Sequence, residues 1–371
     1  MKKHLYLIIF AFAISSLSAQ TKFAQLGQEL PTANAYRTAS GAPGHEYYQQ
    51  KADYKMDIVL DDEKQRIDGF ETITYTNNSP DQLDYLWLQL DQNLFDEQSD
   101  TKLIEIEHME NFKSVGDLRK RDFKYDGGFK IEQITNTSGQ AMKYFINKTM
   151  LRIDLAKPLM PGQNISFQVK WWYNINDRMQ VGGRSGYEYF DIDQNYLYTI
   201  AQFFPRMCVY NDVTGWQNKQ FLGRGEFTLP FGDYIVNITV PADHIVGATG
   251  ECQNYATVLT AEQRKRYEMA KKSDSPVLII TQQEAEAAEK EHAQKTKTWT
   301  YKATNVRDFA FASSRKFIWD AQKQTVGNKD ILCMSYYPKE GNPLWERYST
   351  KLVAHTIKTY SKYTIDYPYP V

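Results

Sequence analysis

Apolar and polar positions begin to alternate at Tyr54, and that rhythm governs most of the chain beyond it. Residues 54–60 largely alternate, a charged cluster at 61–65 interrupts, and residues 67–75 alternate again through Phe70, Thr72, Ile73 and Thr74. Successive side chains of a strand point to opposite faces, so two such runs around a polar turn predict a β-hairpin. Asn77-Asn78-Ser79-Pro80-Asp81 breaks the chain, and residues 85–90 predict the next strand. Further strands are predicted at 151–155, ending before Pro158 and the Pro161-Gly162 turn, and at 164–173, with Ile165, Phe167, Val169 and Trp171 on one face. The same pattern recurs at 196–202, 225–229, 234–240, 298–302, 309–313 and 331–337. Short strands punctuated by Gly, Pro, Asn and Asp predict an antiparallel sandwich or several packed sheets.

Two stretches depart from this rhythm. Residues 253–297 are charged and Ala-rich, with helix formers at 261–272 and 282–295 around the apolar run Val277-Leu278-Ile279-Ile280. They read either as a helical insertion decorating the β domain or as a solvated excursion. Near the end, Asn342 can cap a helix and Pro343 suits its first position. Trp345, Tyr348, Leu352, Ile357 and Tyr360 then recur at helical spacing, predicting a helix over 343–362, followed by an extended Tyr-Pro-Tyr-Pro run at 367–370. At the front, Met1-Lys2-Lys3, an apolar stretch over 5–14 and Leu17-Ser18-Ala19 have the form of an export signal over residues 1–19, leaving Gln20 first. The expectation is a bacterial chain exported to the periplasm or beyond. Residues 20–45 form a polar linker, and no later apolar run is long enough to cross a membrane.

Composition changes this picture little. The chain has 371 residues, 42% of them hydrophobic, and a formal net charge of -1, which favours neither nucleic acid nor an anionic membrane as partner. The 26 Tyr and 7 Trp fit a strand-rich protein, with sugar-stacking as the sharper alternative. The three cysteines, Cys208, Cys252 and Cys333, are far apart and include no Cys-x-x-Cys, so they offer at most one disulfide and otherwise buried thiols.

The chemistry-bearing motifs fail in turn. None of the 6 histidines pairs with another at the His-Glu-x-x-His spacing that sets two imidazoles one helical turn apart; after His45-Glu46, Gln49 stands where the second His belongs. Asp191-Ile192-Asp193-Gln194-Asn195 opens like a calcium loop, but Tyr196 replaces its glycine and Gln202 its bidentate glutamate. In Gly182-Gly183-Arg184-Ser185-Gly186 a glycine directly follows the serine, which excludes a nucleophile elbow. Gly223-Arg224-Gly225 lacks the third glycine of a dinucleotide site.

Three stretches resemble the aminopeptidase N family of zinc metallopeptidases. Residues 54–90 look like the opening strands of that family's N-terminal saddle domain. Ala201-Gln202-Phe203-Phe204-Pro205-Arg206, continuing through Gly225-Glu226-Phe227 to the strand over 233–241, is similar to the saddle edge that faces the family's active site. The helix from Pro343 and the Tyr-Pro-Tyr-Pro run resemble the entry to its thermolysin-like catalytic domain.

The resemblance implies a mainly β fold with some α. A saddle-like, multi-sheet antiparallel domain would span 46–335, and 336–371 would begin an α/β catalytic domain. It implies zinc and a peptide substrate in the parent enzyme. The family's zinc motif and Gly-x-Met-Glu-Asn-like loop are absent here, so no catalytic residue or metal ligand carries over. The chain is expected to stop at Val371 ahead of them, to bind no zinc alone and to cleave nothing alone. One substrate-binding position does carry over, and a second departs from the family's pattern. Gln202 matches the family's saddle-edge glutamine. Phe204 stands where many members have a Glu that helps hold the substrate's amine, a charge-assisted contact a phenyl ring cannot make. Read from the residues alone, Phe204 is equally a core aromatic beside Phe203, and Gln202 an exposed strand residue. A different class of function, a secreted β-sandwich module binding carbohydrate or protein, has the terminal helix against it.

Overall fold

The computed structural model describes residues 33–104, 125–223, 225 and 227–371, so the expected export signal lies outside the described residues. Contacts divide the chain into Met1–Tyr48 and Gln49–Val371. In the first unit the Asn34 side chain accepts the N–H groups of Tyr36 and Arg37, and Tyr36 meets Tyr48 edge-on at 5.8 Å.

In the second unit the predicted hairpin is present as β1 (Lys51–Asp61) and β2 (Arg66–Thr76), in continuous antiparallel register from Lys51 opposite Thr76 to Asp61 opposite Arg66. Every second residue is buried on both strands, which is what the alternation encodes: Tyr54, Met56, Ile58 and Leu60 on one, Ile67, Ile73 and Tyr75 on the other. The chain continues through β3 (Leu83–Gln89), β4 (Lys130–Asn136), β5 (Lys143–Asn147), β6 (Met150–Leu159) and β7 (Asn164–Asn174). Strand β6 runs past the predicted stop at Pro158, because the pairing of β3 with β6 is irregular between Leu83 and Tyr85, and a proline missing its N–H fits such a bulge. Next come β8 (Gly186–Phe190), β9 (Asn195–Ile200), β10 (Arg206–Met207), β11 (Tyr210–Asn211) and β12 (Gly215–Trp216). No strand forms at 227–229, part of the predicted 225–229 strand; the carbonyl of Leu229 and the hydroxyl of Thr228 are taken by the Arg307 guanidinium instead.

Strands β13 (Gly232–Pro241), β14 (Ile245–Ala248), β15 (Glu251–Cys252), β16 (Val277–Ile280), β17 (Thr296–Val306), β18 (Phe311–Ser314), β19 (Ile318–Val326) and β20 (Lys329–Tyr337) complete the β structure. Five sheets result. The largest has the order β15-β17-β13-β1-β2-β7-β4 and is antiparallel except where β1 runs parallel to β13. The expected mainly β architecture of several antiparallel sheets is therefore the observed one. A continuous core lies between the sheets and includes Trp171, Trp299 and Trp319. Gly69 is required there, since a Cβ would sit 2.2 Å from the Trp171 ring.

The helical region contains α1 (Ala261–Ala270) and α2 (Gln282–Ala288), each opened by a capping box, Thr260 with Gln263 and Thr281 with Glu284. Both helices stop short of the predicted ends. The apolar run between them does not decorate the surface; as β16 it pairs with β19 in a three-stranded sheet with β20. Helix α3 (Leu344–Tyr363) follows the prediction closely, and Asn342 Oδ1 accepts the Glu346 N–H at 3.2 Å.

One core position is at odds with its surroundings. Glu71 lies on β2 opposite Met56 and Val169, fully buried, and neither carboxyl oxygen has a hydrogen-bond partner. Burial pushes its carboxyl well above the usual 4.5. Above pH 4.5 the unfolded chain releases this proton while the folded chain keeps it, so the group's contribution to stability falls as pH rises towards the folded-state value. Glu71→Gln removes that loss. Its melting temperature relative to the parent chain is expected to improve by a few degrees or more between pH 4 and pH 8; a difference independent of pH over that range would show that Glu71 is not held protonated.

Candidate functional site

The segment resembling the family's saddle edge follows β9, which ends at Ile200, two residues short of the predicted 202. Gln202 adopts a left-handed backbone conformation, φ +53°. For a residue with a Cβ this costs about 1–2 kcal/mol and persists only where the surroundings hold it. They do so from two sides. Gln92, in the 3-10 turn Asp91–Phe95 after β3, donates from Nε2 to the Gln202 carbonyl at 2.9 Å. Ser185 Oγ accepts the Ala201 N–H at 3.1 Å and donates to the Thr199 carbonyl at 3.2 Å.

This turn breaks the strand's alternation, so the neighbours Phe203 and Phe204 both enter the core with no exposed surface. Phe204 packs edge-on to Tyr54 at 5.3 Å and to Tyr234 at 6.1 Å. The expectation that Phe204 lines a substrate cleft is corrected: its ring is enclosed, and the core-aromatic reading describes it. Gln202 is half-buried and lines a cavity of about 70 Å³ together with Gln92, Leu94, Phe95, Ser185 and Phe221. Gln92 Oε1 is buried there without a hydrogen-bond partner.

Four residues beyond Gln202 the segment is anchored a second time. Arg206 forms a two-point pair with Asp91, Nε to Oδ2 at 3.0 Å and Nη2 to Oδ1 at 2.8 Å, and reaches Asp308 from Nη1 at 2.6 Å. Burial raises the Asp91 carboxyl above its usual value, a shift Arg206 only partly offsets. Tyr54 Oη accepts the Met207 N–H at 2.9 Å. Asp91 and Gln92 thus hold both ends of the Gln202 segment, and sequence reasoning passed over both. Their only signal was two polar residues directly after the apolar strand β3, a pattern that surface turns share.

The remaining chemical groups converge less. His244 is fully buried, with Nδ1 2.9 Å from Ser313 Oγ and Nε2 3.8 Å from Asp62. Burial first, and then the Arg315 charge, push it down to about 3, so it stays neutral. The trio has the residue types of a nucleophilic triad, but Ser313 is sealed from solvent and cannot meet a substrate. Asp193, from the rejected calcium loop, pairs with Lys316. Cys208, Cys252 and Cys333 are free thiols, each raised by burial. Among the described residues no group of three His, Cys, Asp or Glu side chains is placed to hold a metal ion, so this part of the chain does not fit the zinc its resemblance implies. No helix among them is long and apolar enough to cross a membrane.

A cavity of about 890 Å³ lies elsewhere, between β17, β20 and the Tyr-Pro-Tyr-Pro run. That run is pinned by the Leu332 N–H donating to the Pro370 carbonyl at 3.0 Å and by Tyr369 Oη donating to the Asn305 carbonyl at 2.9 Å.

No protein-family model matches the chain, and no curated protein matches it. Solved structures similar to it include the M1 zinc metallopeptidase from Deinococcus radiodurans, at 12% identity over 87% of this chain and 54% of that one, with a TM-score of 0.47. A point mutant of that enzyme gives 12% identity, 87% and 55% coverage and a TM-score of 0.48. A two-domain M1 zinc metallopeptidase mutant bound to L-tryptophan gives 11%, 89% and 57%, with a TM-score of 0.47. The chain spans about half the length of these proteins.

The Arg206–Asp91 pair generates a stability prediction. Arg206→Met leaves Asp91 buried without its counter-charge and is expected to cost about 3–5 kcal/mol, read from the denaturant midpoint. Asp91→Asn combined with Arg206→Met should recover a large part of that loss. A double variant no more stable than the single one would mean that the pair does not act as a unit.

Proposed function

We propose that this chain is the N-terminal part of an exported zinc metallopeptidase acting at peptide N-termini, and that it builds one wall of the substrate cleft. The observation that carries the reading is the segment 201–206. It is the stretch most similar to the family's substrate-facing edge, and in it a glutamine is held in a costly conformation by buried partners beside a small cavity. Backbone strain of this kind concentrates at ligand-binding positions. In this reading the Gln202 amide orients the substrate, and Phe204 supports the wall from behind. Zinc in such an enzyme polarises the scissile carbonyl. No residue of this chain is assigned to that step.

A second reading has one specific observation in its favour. On the outer side of the β3–β6–β5 sheet, Trp87 meets Phe145 edge-on at 5.9 Å, and the Arg152 guanidinium lies 4.0 Å over the Tyr85 ring. Phe145 is 47% exposed. An exposed ring and two half-buried ones beside a guanidinium and a carboxylate, Asp154, suit carbohydrate stacking.

The two readings separate experimentally. The gene expressed from its first codon to its natural stop is expected to hydrolyse aminoacyl reporters when zinc is supplied, whereas residues 1–371 alone do not. Gln202→Ala in the active form should raise KM up to about tenfold, the loss of one hydrogen bond to substrate. Hydrolysis by residues 1–371, or a full gene product that takes up no zinc, would defeat the proposal. Saturable glycan binding abolished by Phe145→Ala would support the second reading.

A further inference from the structure

A cluster of five charged side chains lies outside the Gln202 segment and joins four separate parts of the fold. Asp193 is in the turn between β8 and β9, and Glu289 caps the C-terminal end of α2. Lys316 lies between β18 and β19, while Lys339 and Glu340 belong to the 3-10 turn Lys339–Gly341 ahead of α3. The Lys316 side chain is completely buried. Its ammonium bonds Glu289 and Glu340, each at 3.0 Å, and Asp193, three carboxylates for three donors. Lys339 bonds Glu289 and lies 3.4 Å from Asp193. The Phe190 ring closes one side, its centroid 4.5 Å from Lys316 Nζ.

The next charged groups are already engaged with one another: Arg315 pairs with Asp62 and Asp243 and donates to Asn195 Oδ1. Asn195 in turn donates to the Glu289 backbone carbonyl at 3.0 Å. Among the described residues the five charges neutralise one another, with one negative charge in excess.

We propose that Lys316 and Lys339 form a charge latch that fixes the start of α3 to the β8–β9 turn and to the end of α2. The consequence is positional. Trp345, Tyr348 and Leu352 form an exposed stripe on α3, and the latch sets where that stripe begins. Bonds outside the cluster hold the helix separately, through Asn342 to Gln282 at 3.0 Å and through Thr350 to the buried Asp320. Loosening the latch should thus free the start of α3 without detaching the helix.

The latch holds over a wide pH range. Burial opposes ionisation of Asp193, but the two lysines outweigh it and keep its carboxyl below 3.8, so its contribution is present above that value and is lost as pH falls through the folded-state value. Burial likewise opposes charge on Lys316 and Lys339, and their carboxylate partners outweigh it. Both stay charged above 10.5, with the stability lost only as pH rises further. Removing one ammonium reverses the acid side of this behaviour. Three carboxylates then face a single lysine at neutral pH, and protonating them relieves the repulsion.

Lys316→Met, which keeps the length of the side chain and removes its charge, tests the latch by hydrogen exchange over residues 338–346 and 190–195. Variant and parent are compared at the same pH, so that intrinsic exchange rates cancel. At pH 7.5 the variant is expected to exchange about tenfold faster or more in both segments. At pH 4.5 the gap should narrow, because protonation relieves the carboxylate repulsion in the variant, but not close, because the parent's latch still holds there. Equal protection at pH 7.5, or a gap that closes fully or widens in acid, would overturn the latch. If Lys316→Met fails to fold but folds once Asp193→Asn and Glu289→Gln are added, carboxylate repulsion is the cause and the proposal stands. If the triple variant also fails to fold, repulsion is not the cause and the proposal is wrong.

Discussion

The buried Arg206, held by Asp91 and Asp308, ties the end of β3 and its paired strand β10 to a part of the fold with which they share no strand pairing. Asp91 closes the end of β3, Arg206 starts β10, and the third contact, Asp308, precedes β18 in a different sheet. Two partly compensated carboxylates around one guanidinium are costly to bury unless each hydrogen-bonding direction is used. The hydrogen bonds to Asp91 Oδ2 and to Asp308 meet that requirement in part, while Asp91 Oδ1 lies 2.8 Å from Nη2 without a hydrogen bond of its own. Because Gln92 is the next residue, whatever fixes Asp91 also fixes the amide that holds Gln202. The position of the Gln202 segment therefore depends in part on this electrostatic contact.

The alternation of the chain made β1, β2, β7 and β13 legible, because each buries one face and leaves the other wet. It failed where that condition fails. Strand β19 is covered on both sides, with α1 and α3 packed against it, and carries the buried Asp320 and Gln322 among its apolar residues, so no period of two survives. The stretch 277–280 looked like part of a helical excursion because its neighbours are helical; only pairing with β19, some forty residues later, makes it a strand.

The site was half legible. Gln202 was found through its neighbours in the sequence, but nothing in a glutamine announces a left-handed backbone. With that turn in place, Phe203 and Phe204 fall on the same side, and no reading of alternation through the segment could have put both in the core. Asp91 and Arg206 are 115 residues apart, and a charged residue buried with a distant partner looks, in sequence, like one in solvent. Lys316 was invisible for the same reason: its three partners come from three other parts of the chain.

The parallel pairing of β1 with β13 sets an order of events. Asp57 and Asn237, whose side chains bond across it, are 180 residues apart. At ordinary rates of synthesis about ten seconds or more separate them at the ribosome, and closing so long a loop is slow even for a finished chain. Until β13 arrives, the hairpin of β1 and β2 carries an open edge. That edge presents Lys55 and Asp57 at exposed positions. Charges on a waiting edge discourage pairing with another chain. The same side chain that later accepts the Asn237 amide thus first serves to keep the nascent protein from joining its neighbours.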